Sequence, residues 1–283
     1  MTKQYIDEYN LQVSMTEYRD LYKGGSAVTP SGKFFGTITQ VYDNTSGDGE
    51  QVYAIVKDPS TSSDQVKEVT VLFRGSTAPD QLKSNPADVW NDWGENDALL
   101  ALRIWGQDNP HFTKGIDHST GQLKASSRTL KEIMEKYPNA KFNIYGHSLG
   151  SMAAQYSMAD LSSKEIKRIQ KAYIYNGPNI YGILSTKQQK TVDSIKGRIH
   201  NYADPKDPIS MVGRKSSKGS TELVGSVGSV GMVYYADSNK QNMIDQHMTY
   251  GFQLDKNGKI KTIFSANATI CLLYTSDAAD DLT

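Results

Sequence analysis

The sequence predicts an α/β fold with a mostly parallel central sheet flanked by helices and a β-hairpin near its N-terminus. From about residue 69 onward, short apolar runs alternate with longer segments of helical periodicity. Alternation of strands and helices favours a parallel sheet, because each helix returns the chain to the edge where the next strand starts. Ahead of this region, two strand-like runs flank a turn rich in Gly, Asn and Asp, which is typical of a hairpin.

The first elements are predicted from residue type. Residues 33–42 and 51–57 are rich in aromatic and β-branched side chains and flank the polar turn 44–49, which predicts the hairpin. Val69-Thr70-Val71-Leu72-Phe73 is predicted to be a buried strand that opens into the loop Arg74-Gly75-Ser76-Thr77.

The remaining elements supply the alternation. Helices are predicted over 88–104, 121–137, 148–161 and 186–195, and strands over 142–145, 172–175, 198–202 and 232–235. The Gly/Ser-rich stretch 213–231 is predicted to be a loop. Since no boundary separates two apolar cores, residues 1–270 are predicted to form a single domain.

The last residues look foreign to the protein. Cys271-Leu272-Leu273-Tyr274-Thr275-Ser276-Asp277-Ala278-Ala279-Asp280 resembles one reading frame of a transposon-type sequencing adapter. Residues 271–283 are therefore predicted to be a non-native tail, which would leave the true C-terminus and any following domain outside this sequence. The single cysteine, which lies in this tail, excludes an internal disulfide framework.

Composition excludes several classes of function. Hydrophobic residues make up 37% and charged residues 22% of the chain, which suits a globular core. Basic and acidic residues both number 31, so no net charge attracts nucleic acid. No apolar run is long enough for a transmembrane segment, and the first residues lack the apolar core of a secretory signal. These features predict a cytoplasmic protein or one exported by a signal-independent route.

A candidate nucleophile lies between a strand and a helix. Gly146-His147-Ser148-Leu149-Gly150 follows the apolar strand 142–145 and precedes a run of small, helix-favouring residues. This is the nucleophile-elbow pattern of the α/β-hydrolase fold, in which glycines allow a sharp turn that exposes the serine hydroxyl. The alternative interpretation is a Gly-rich turn with an idle serine.

A serine nucleophile needs a histidine base and an acid that orients it. In this fold the three residues follow the order nucleophile, acid, histidine along the chain. His200 lies within a predicted strand, where a structural histidine is expected, so His247 is predicted to be the base. The loop after residue 202 offers two carboxylates, and Asp207 is preferred over Asp204 as the acid. The alternatives are that His247 is a solvated surface histidine and that Asp204 is a turn residue.

Two backbone or side-chain donors are needed for the oxyanion that forms on the substrate. The N–H of Leu149, directly after the nucleophile, is predicted to supply one. Ser76, at the end of the strand-to-loop segment Phe73-Arg74-Gly75-Ser76, is predicted to supply the other. An ordinary strand-ending turn is the alternative for this segment.

These motifs together resemble the class 3 lipases, a group that includes fungal triacylglycerol lipases and bacterial relatives. The similarity is collinear over most of the chain. The motifs that carry it are, from the N-terminus onward, Val71-Leu72-Phe73-Arg74-Gly75-Ser76, Trp90-Asn91-Asp92-Trp93, Lys114-Gly115-Ile116-Asp117, Tyr145-Gly146-His147-Ser148-Leu149-Gly150, Asp207-Pro208-Ile209-Ser210 and His247.

The resemblance implies specific roles for these residues. It implies Ser148, Asp207 and His247 as a catalytic triad and Ser76 with Leu149 as the oxyanion hole, and the chain is predicted to be a bacterial member. One departure is Ser151, where the family usually has a second glycine, so the packing of helix against strand is expected to be looser.

The resulting prediction is a serine hydrolase that cleaves lipid esters, either triacylglycerols or phospholipids, through an acyl-enzyme on Ser148. It needs no cofactor or metal, since the sequence has no H-E-x-x-H pattern or Cys/His cluster. Residues 88–105 contain all three tryptophans and are predicted to form an amphipathic cover that contacts lipid transiently; ordinary core packing is the alternative. A soluble carboxylesterase or thioesterase, and a catalytically silent binding module, remain open.

Overall fold

The computed structural model describes residues 6–44, 50–75, 104, 111–214, 228–239 and 243–263. These residues form one eight-stranded sheet, and its strands lie side by side in the order in which they follow along the chain. The strands are β1 (Ser26–Val28), β2 (Phe34–Asp43), β3 (Gln51–Val56), β4 (Glu68–Phe73), β5 (Lys141–His147), β6 (Ile169–Tyr175), β7 (Ile199–Ala203) and β8 (Met232–Tyr235).

The helices are α1 (Ile6–Met15), α2 (Gly121–Lys136), α3 (Leu149–Ala159), α4 (Thr186–Asp193) and α5 (Met243–His247). Strands β1 to β4 pair antiparallel, and β4 to β8 pair parallel. This mostly parallel sheet flanked by helices confirms the predicted α/β-hydrolase fold class. The antiparallel pairing of β2 with β3 confirms the predicted N-terminal hairpin.

The two faces of the sheet are covered by different helices. Side chains of α2 and α3 share one buried cluster with alternate strand residues such as Val71 and Ile144. On the opposite face, Val13 of α1 shares a second cluster with Leu72 and Tyr145, the neighbours of those strand residues. The segregation follows from strand geometry, since successive side chains point to opposite faces. Right-handed crossovers between strands in sequential order also place their helices on one face.

Most sequence-predicted elements in the described part of the chain agree with the structure to within a few residues. The predictions did not include α1 and β1, because the N-terminal 28 residues mix polar and apolar side chains without a clear period. The structure adds these elements: α1 covers the second face and β1 extends the sheet.

Several predictions fall on residues that are not described. These are residues 45–49 of the predicted turn, Ser76 and Thr77, the amphipathic segment 88–105 apart from Ile104, most of the Gly/Ser-rich stretch 213–231, and the tail 271–283. Within the described ranges, no helix is long and apolar enough to cross a membrane.

Candidate active site

Ser148 lies at the turn between β5 and α3, and its backbone has φ 55° and ψ −125°. A positive φ is rare for a residue with a side chain and is tolerated when the surrounding structure fixes it. Both flanking glycines are required by close backbone contacts. A Cβ atom on Gly146 would lie 2.5 Å from the carbonyl oxygen of Gly150, and one on Gly150 would lie 2.0 Å from that of Phe73. The glycines therefore allow the sharp turn that presents Ser148.

The structure brings Ser148, His247 and Asp207 together in a continuous hydrogen-bonded chain. The Nε2 atom of His247 lies 2.8 Å from Ser148 Oγ, and its Nδ1 atom lies 2.8 Å from Asp207 Oδ2. All three residues are buried. Because a carboxylate accepts the Nδ1–H, the neutral imidazole presents Nε2 as an acceptor to the serine hydroxyl. The arrangement can remove a proton from Ser148 and stabilise the resulting imidazolium.

Asp207 is fixed by the turn that follows β7. Its Oδ1 accepts the backbone N–H of Ile209 at 3.0 Å, and its Oδ2 accepts that of Ser210 at 3.2 Å. Asp204, the rival acid, instead accepts the backbone N–H of Lys206 at 2.8 Å. Burial raises the pKa of Asp204 above its ordinary value. In the described part of the chain, Asp207 is the one of these two carboxylates that is hydrogen-bonded to His247.

A buried arginine, Arg214, is hydrogen-bonded to the turn that carries Asp207. Arg214 donates to the carbonyl oxygens of Gly177, at 2.7 Å, and Ser210, and to Asn201 Oδ1 at 3.0 Å. Burial lowers the pKa of Arg214 to about 10, which leaves it charged at neutral pH. Sequence analysis missed this residue, since nothing distinguishes a single arginine at the edge of a Gly/Ser-rich loop.

His147, the second residue of the elbow, contacts the backbone of His247. His147 is fully buried, and burial lowers its pKa to about 3, so its ring is neutral. Its Nε2 lies 2.6 Å from the carbonyl oxygen of His247, and a carbonyl can only accept, so Nε2 carries the proton. Its Nδ1 therefore accepts a hydrogen bond from the Tyr18 hydroxyl, 2.6 Å away.

Asn176 links the segments that carry Asp207 and His247. It follows β6 with φ 45°, a left-handed conformation that asparagine adopts more readily than most residues. Its Nδ2 donates to the carbonyl oxygens of Gln246 and His247, both at 2.8 Å, and its Oδ1 accepts the N–H of Asp204 at 2.9 Å. Sequence analysis missed Asn176 and Tyr18, whose partners lie 70 and 129 residues away.

Of the two predicted oxyanion donors, Leu149 lies within the described residues and Ser76 lies outside them. Leu149 is the first residue of α3, where the helix dipole favours negative charge near its N–H. Gly75 packs near the elbow, because a Cβ atom on it would lie 3.4 Å from Ser148 Cβ. Ser76, which follows Gly75, lies outside the described residues.

Ser151 packs closely against Gly177, which lies in the loop after β6. A Cβ atom built on Gly177 would lie 2.4 Å from Ser151 Cβ and 2.8 Å from the carbonyl oxygen of Ser148. Ser151 Oγ also accepts a hydrogen bond from Gln155 Nε2 at 3.2 Å. The absence of a side chain at Gly177 therefore makes room for the serine hydroxymethyl group.

We expect Gly177→Ala to destabilise the protein by about 2 kcal/mol, a typical cost of overpacking a core site. In a Ser151→Gly background the same change should cost at least about 1 kcal/mol less, because the closest contact is gone. Chemical denaturation of the four proteins of this double-mutant cycle measures the difference. Strictly additive free energies of unfolding would show that Ser151 and Gly177 do not share this space.

No group of three or more His, Cys, Asp or Glu side chains in the described residues is arranged to hold a metal ion.

Comparison with known proteins gives one family match and several structural likenesses. The model of the family described as Lipase (class 3) matches residues 70–212, which is half of the 283-residue chain. No curated protein matches the chain.

Three solved structures with some likeness to this chain are the following. A mutant form of MDLA from Penicillium cyclopium is 19% identical, with a TM-score of 0.48 and coverage of 90% of this chain and 84% of that one. A triacylglycerol lipase from Penicillium expansum is 13% identical, with a TM-score of 0.42 and coverage of 81% and 77%. Rhizomucor miehei lipase in its propeptide complex is 13% identical, with a TM-score of 0.40 and coverage of 81% and 66%. Scores this low carry no argument about this chain.

The assignment rests on the family match, which includes the elbow, the strand and loop ahead of it, and the turn that holds Asp207. The chain belongs to the class 3 lipase family and is a serine lipase, a carboxylic ester hydrolase that cleaves esters of lipids.

Proposed function

We propose that Ser148 is the nucleophile, His247 the general base and Asp207 the acid that orients the base. The observation that carries the proposal is the chain of two 2.8 Å hydrogen bonds from Asp207 through His247 to Ser148. Nucleophile and base within hydrogen-bond reach, with the base oriented by a third group, is the arrangement that activates a serine hydroxyl.

The reaction proceeds by acyl transfer. His247 takes the proton of the Ser148 hydroxyl as Ser148 Oγ attacks the ester carbonyl. The N–H of Leu149 and the N–H or hydroxyl of Ser76 stabilise the oxyanion that forms. The imidazolium then protonates the leaving alcohol, which leaves an acyl-enzyme on Ser148. Water, deprotonated by the same histidine, hydrolyses this ester and restores the free serine.

We propose a triacylglycerol or a phospholipid as the substrate, and transient contact with the lipid surface during turnover. Support for the surface contact comes from the sequence, since the three tryptophans lie within residues 88–105, which follow the candidate oxyanion loop (Arg74-Gly75-Ser76) along the chain. From the sequence, we also propose that the chain is bacterial. We further propose that residues 1–270 form one domain and that residues 271–283 are a non-native tail.

A panel of esters tests this function. Purified protein is assayed on emulsified triacylglycerol, on phosphatidylcholine vesicles and on a short-chain ester measured below and above its solubility limit, with Ser148→Ala as the blank. We expect hydrolysis of at least one lipid class and a rise in rate when the short ester aggregates. Turnover of the dissolved ester alone, without that rise, would favour a soluble esterase. A folded protein inactive on every ester would favour a binding module.

A further inference from the structure

A carboxyl group is buried beneath the candidate oxyanion loop. Glu17 lies in the 3-10 turn Thr16–Tyr18, between α1 and β1, and is completely buried. Its Oε1 accepts the backbone N–H of Gly75 at 3.2 Å, across 58 residues of sequence. Its Oε2 is buried without a well-formed hydrogen bond among the described residues, although the N–H of His147 and the Tyr18 hydroxyl lie near the carboxyl. Burying a carboxyl is costly, so a residue of this kind calls for an explanation.

Gly75 is the point where this carboxyl reaches the active site. A Cβ atom on Gly75 would lie 2.4 Å from the Tyr18 hydroxyl and 2.9 Å from the carbonyl oxygen of His147. The backbone of Gly75 is therefore enclosed by the N-terminal turn on one side and by the elbow on the other. Gly75 directly precedes Ser76, the candidate oxyanion donor. A contact that fixes the position of the Gly75 N–H therefore also restricts the point from which Ser76 extends.

The groups around Glu17 determine its charge. Burial raises the pKa of Glu17 well above its ordinary value, whereas the N–H groups of Gly75 and His147, the charge of Arg74 and the Tyr18 hydroxyl act in the opposite direction. The guanidinium of Arg74 donates to the Tyr53 hydroxyl at 3.3 Å. The His147 ring is neutral, and its Nδ1 is occupied by Tyr18. Tyr250 faces Tyr18 from the segment after α5.

We propose that Glu17 is a positioning residue that holds the oxyanion loop by accepting the Gly75 N–H, and that it does so as an uncharged carboxylic acid. A neutral acid keeps the acceptor at Oε1 without placing a negative charge in the core. It also avoids an anion close to the oxyanion that forms in the transition state. The proposal rests on the proposed function, because it assigns Glu17 to the machinery around Ser148.

Three variants separate the acceptor from the charge. Glu17→Gln keeps an acceptor and cannot ionise, Glu17→Leu removes the acceptor, and Asp20→Asn removes an exposed carboxyl of the same segment as a control. Removal of a direct oxyanion donor costs about 10²–10³-fold in kcat, so indirect displacement by Glu17→Leu should cost about 10-fold with KM changed less than about 2-fold. Glu17→Gln and Asp20→Asn should keep parental kcat within about 2-fold.

The pH dependence of thermal unfolding tests the charge. A carboxyl whose pKa is higher in the folded protein than in the unfolded chain contributes stability that is full below the unfolded value, about 4.5, and is lost as pH rises. The Tm of Glu17→Gln minus that of the parent should therefore grow as the pH rises above the unfolded value, by up to about 4 °C per pH unit. Asp20→Asn should show no such trend.

Defined results would overturn the proposal. A folded Glu17→Leu protein with parental kcat, or a Glu17→Gln protein as impaired as Glu17→Leu, would remove Glu17 from the positioning role. A flat or falling Tm difference for Glu17→Gln would show that the carboxyl is ionised in the fold. If Glu17→Leu does not fold, parental kcat in Glu17→Gln with a rising Tm difference supports the proposal, and a loss above about 10-fold overturns it. Labelling of parental Ser148 by a fluorophosphonate tests the proposed function independently.

Discussion

Replacing Asp207 by Asn is expected to lower kcat by about 10⁴-fold, the loss seen when a triad acid becomes an amide. The asparagine keeps one oxygen, which can still accept the Ile209 N–H, so the turn should persist although the Ser210 N–H loses its carboxylate partner. It no longer fixes the Nδ1–H tautomer of His247 or stabilises the imidazolium. Steady-state hydrolysis of a soluble ester measures the loss.

Asp204→Asn is the matched control, three residues away in the same loop. Its side chain can still accept the Lys206 N–H, and it has no hydrogen bond to His247 that the change would remove. We expect a loss of kcat of less than about 10-fold, because the tautomer of the base is untouched. The reverse ranking would make Asp204 the acid, and small equal losses would show that neither carboxylate orients the base.

Ser148→Ala should lower kcat by at least about 10⁴-fold, because no other group can form the acyl-enzyme. The fold should persist, since the side chain of Ser148 is hydrogen-bonded to His247 rather than to the framework, and α3 and β5 hold the turn. Activity of the purified variant on the same ester, with circular dichroism to check folding, measures the result.

Ser151→Ala provides the comparison for Ser148→Ala. Ser151 lies one turn into α3, is fully buried and is hydrogen-bonded to Gln155. Its loss should leave kcat within about 3-fold of the parent, since it is not part of the Asp207–His247–Ser148 chain. Residual activity of Ser148→Ala within 10-fold of the parent would contradict the assignment of the nucleophile.

Local pattern predicted the fold to a large extent. The hairpin and the strands from β4 onward have apolar runs and turns that can be recognised within a few residues of sequence. Helix α1 and strand β1 have no such pattern. They are stabilised by contacts with distant residues, for example the packing of Val13 against Tyr145 and the antiparallel pairing of β1 with β2.

The candidate site also contains residues that could be predicted from local sequence and residues that could not. Ser148, Asp207 and His247 could be selected because the elbow is a local motif and the order of the three residues is characteristic of the fold. The residues that hold them could not, since Asn176, His147 and Glu17 act through backbone groups far away in sequence. A donor or acceptor aimed at a backbone group leaves no pattern of residue types, so these contacts become visible only in three dimensions.

The central claim is that Ser148 is an activated nucleophile, and covalent labelling tests it most directly. The parental protein is incubated with a fluorophosphonate, digested and mapped by mass spectrometry, with Ser148→Ala and heat-denatured protein as controls. We expect one adduct, on Ser148, which is absent from both controls. An adduct on a different residue, or a folded parental protein that stays unlabelled, would contradict it.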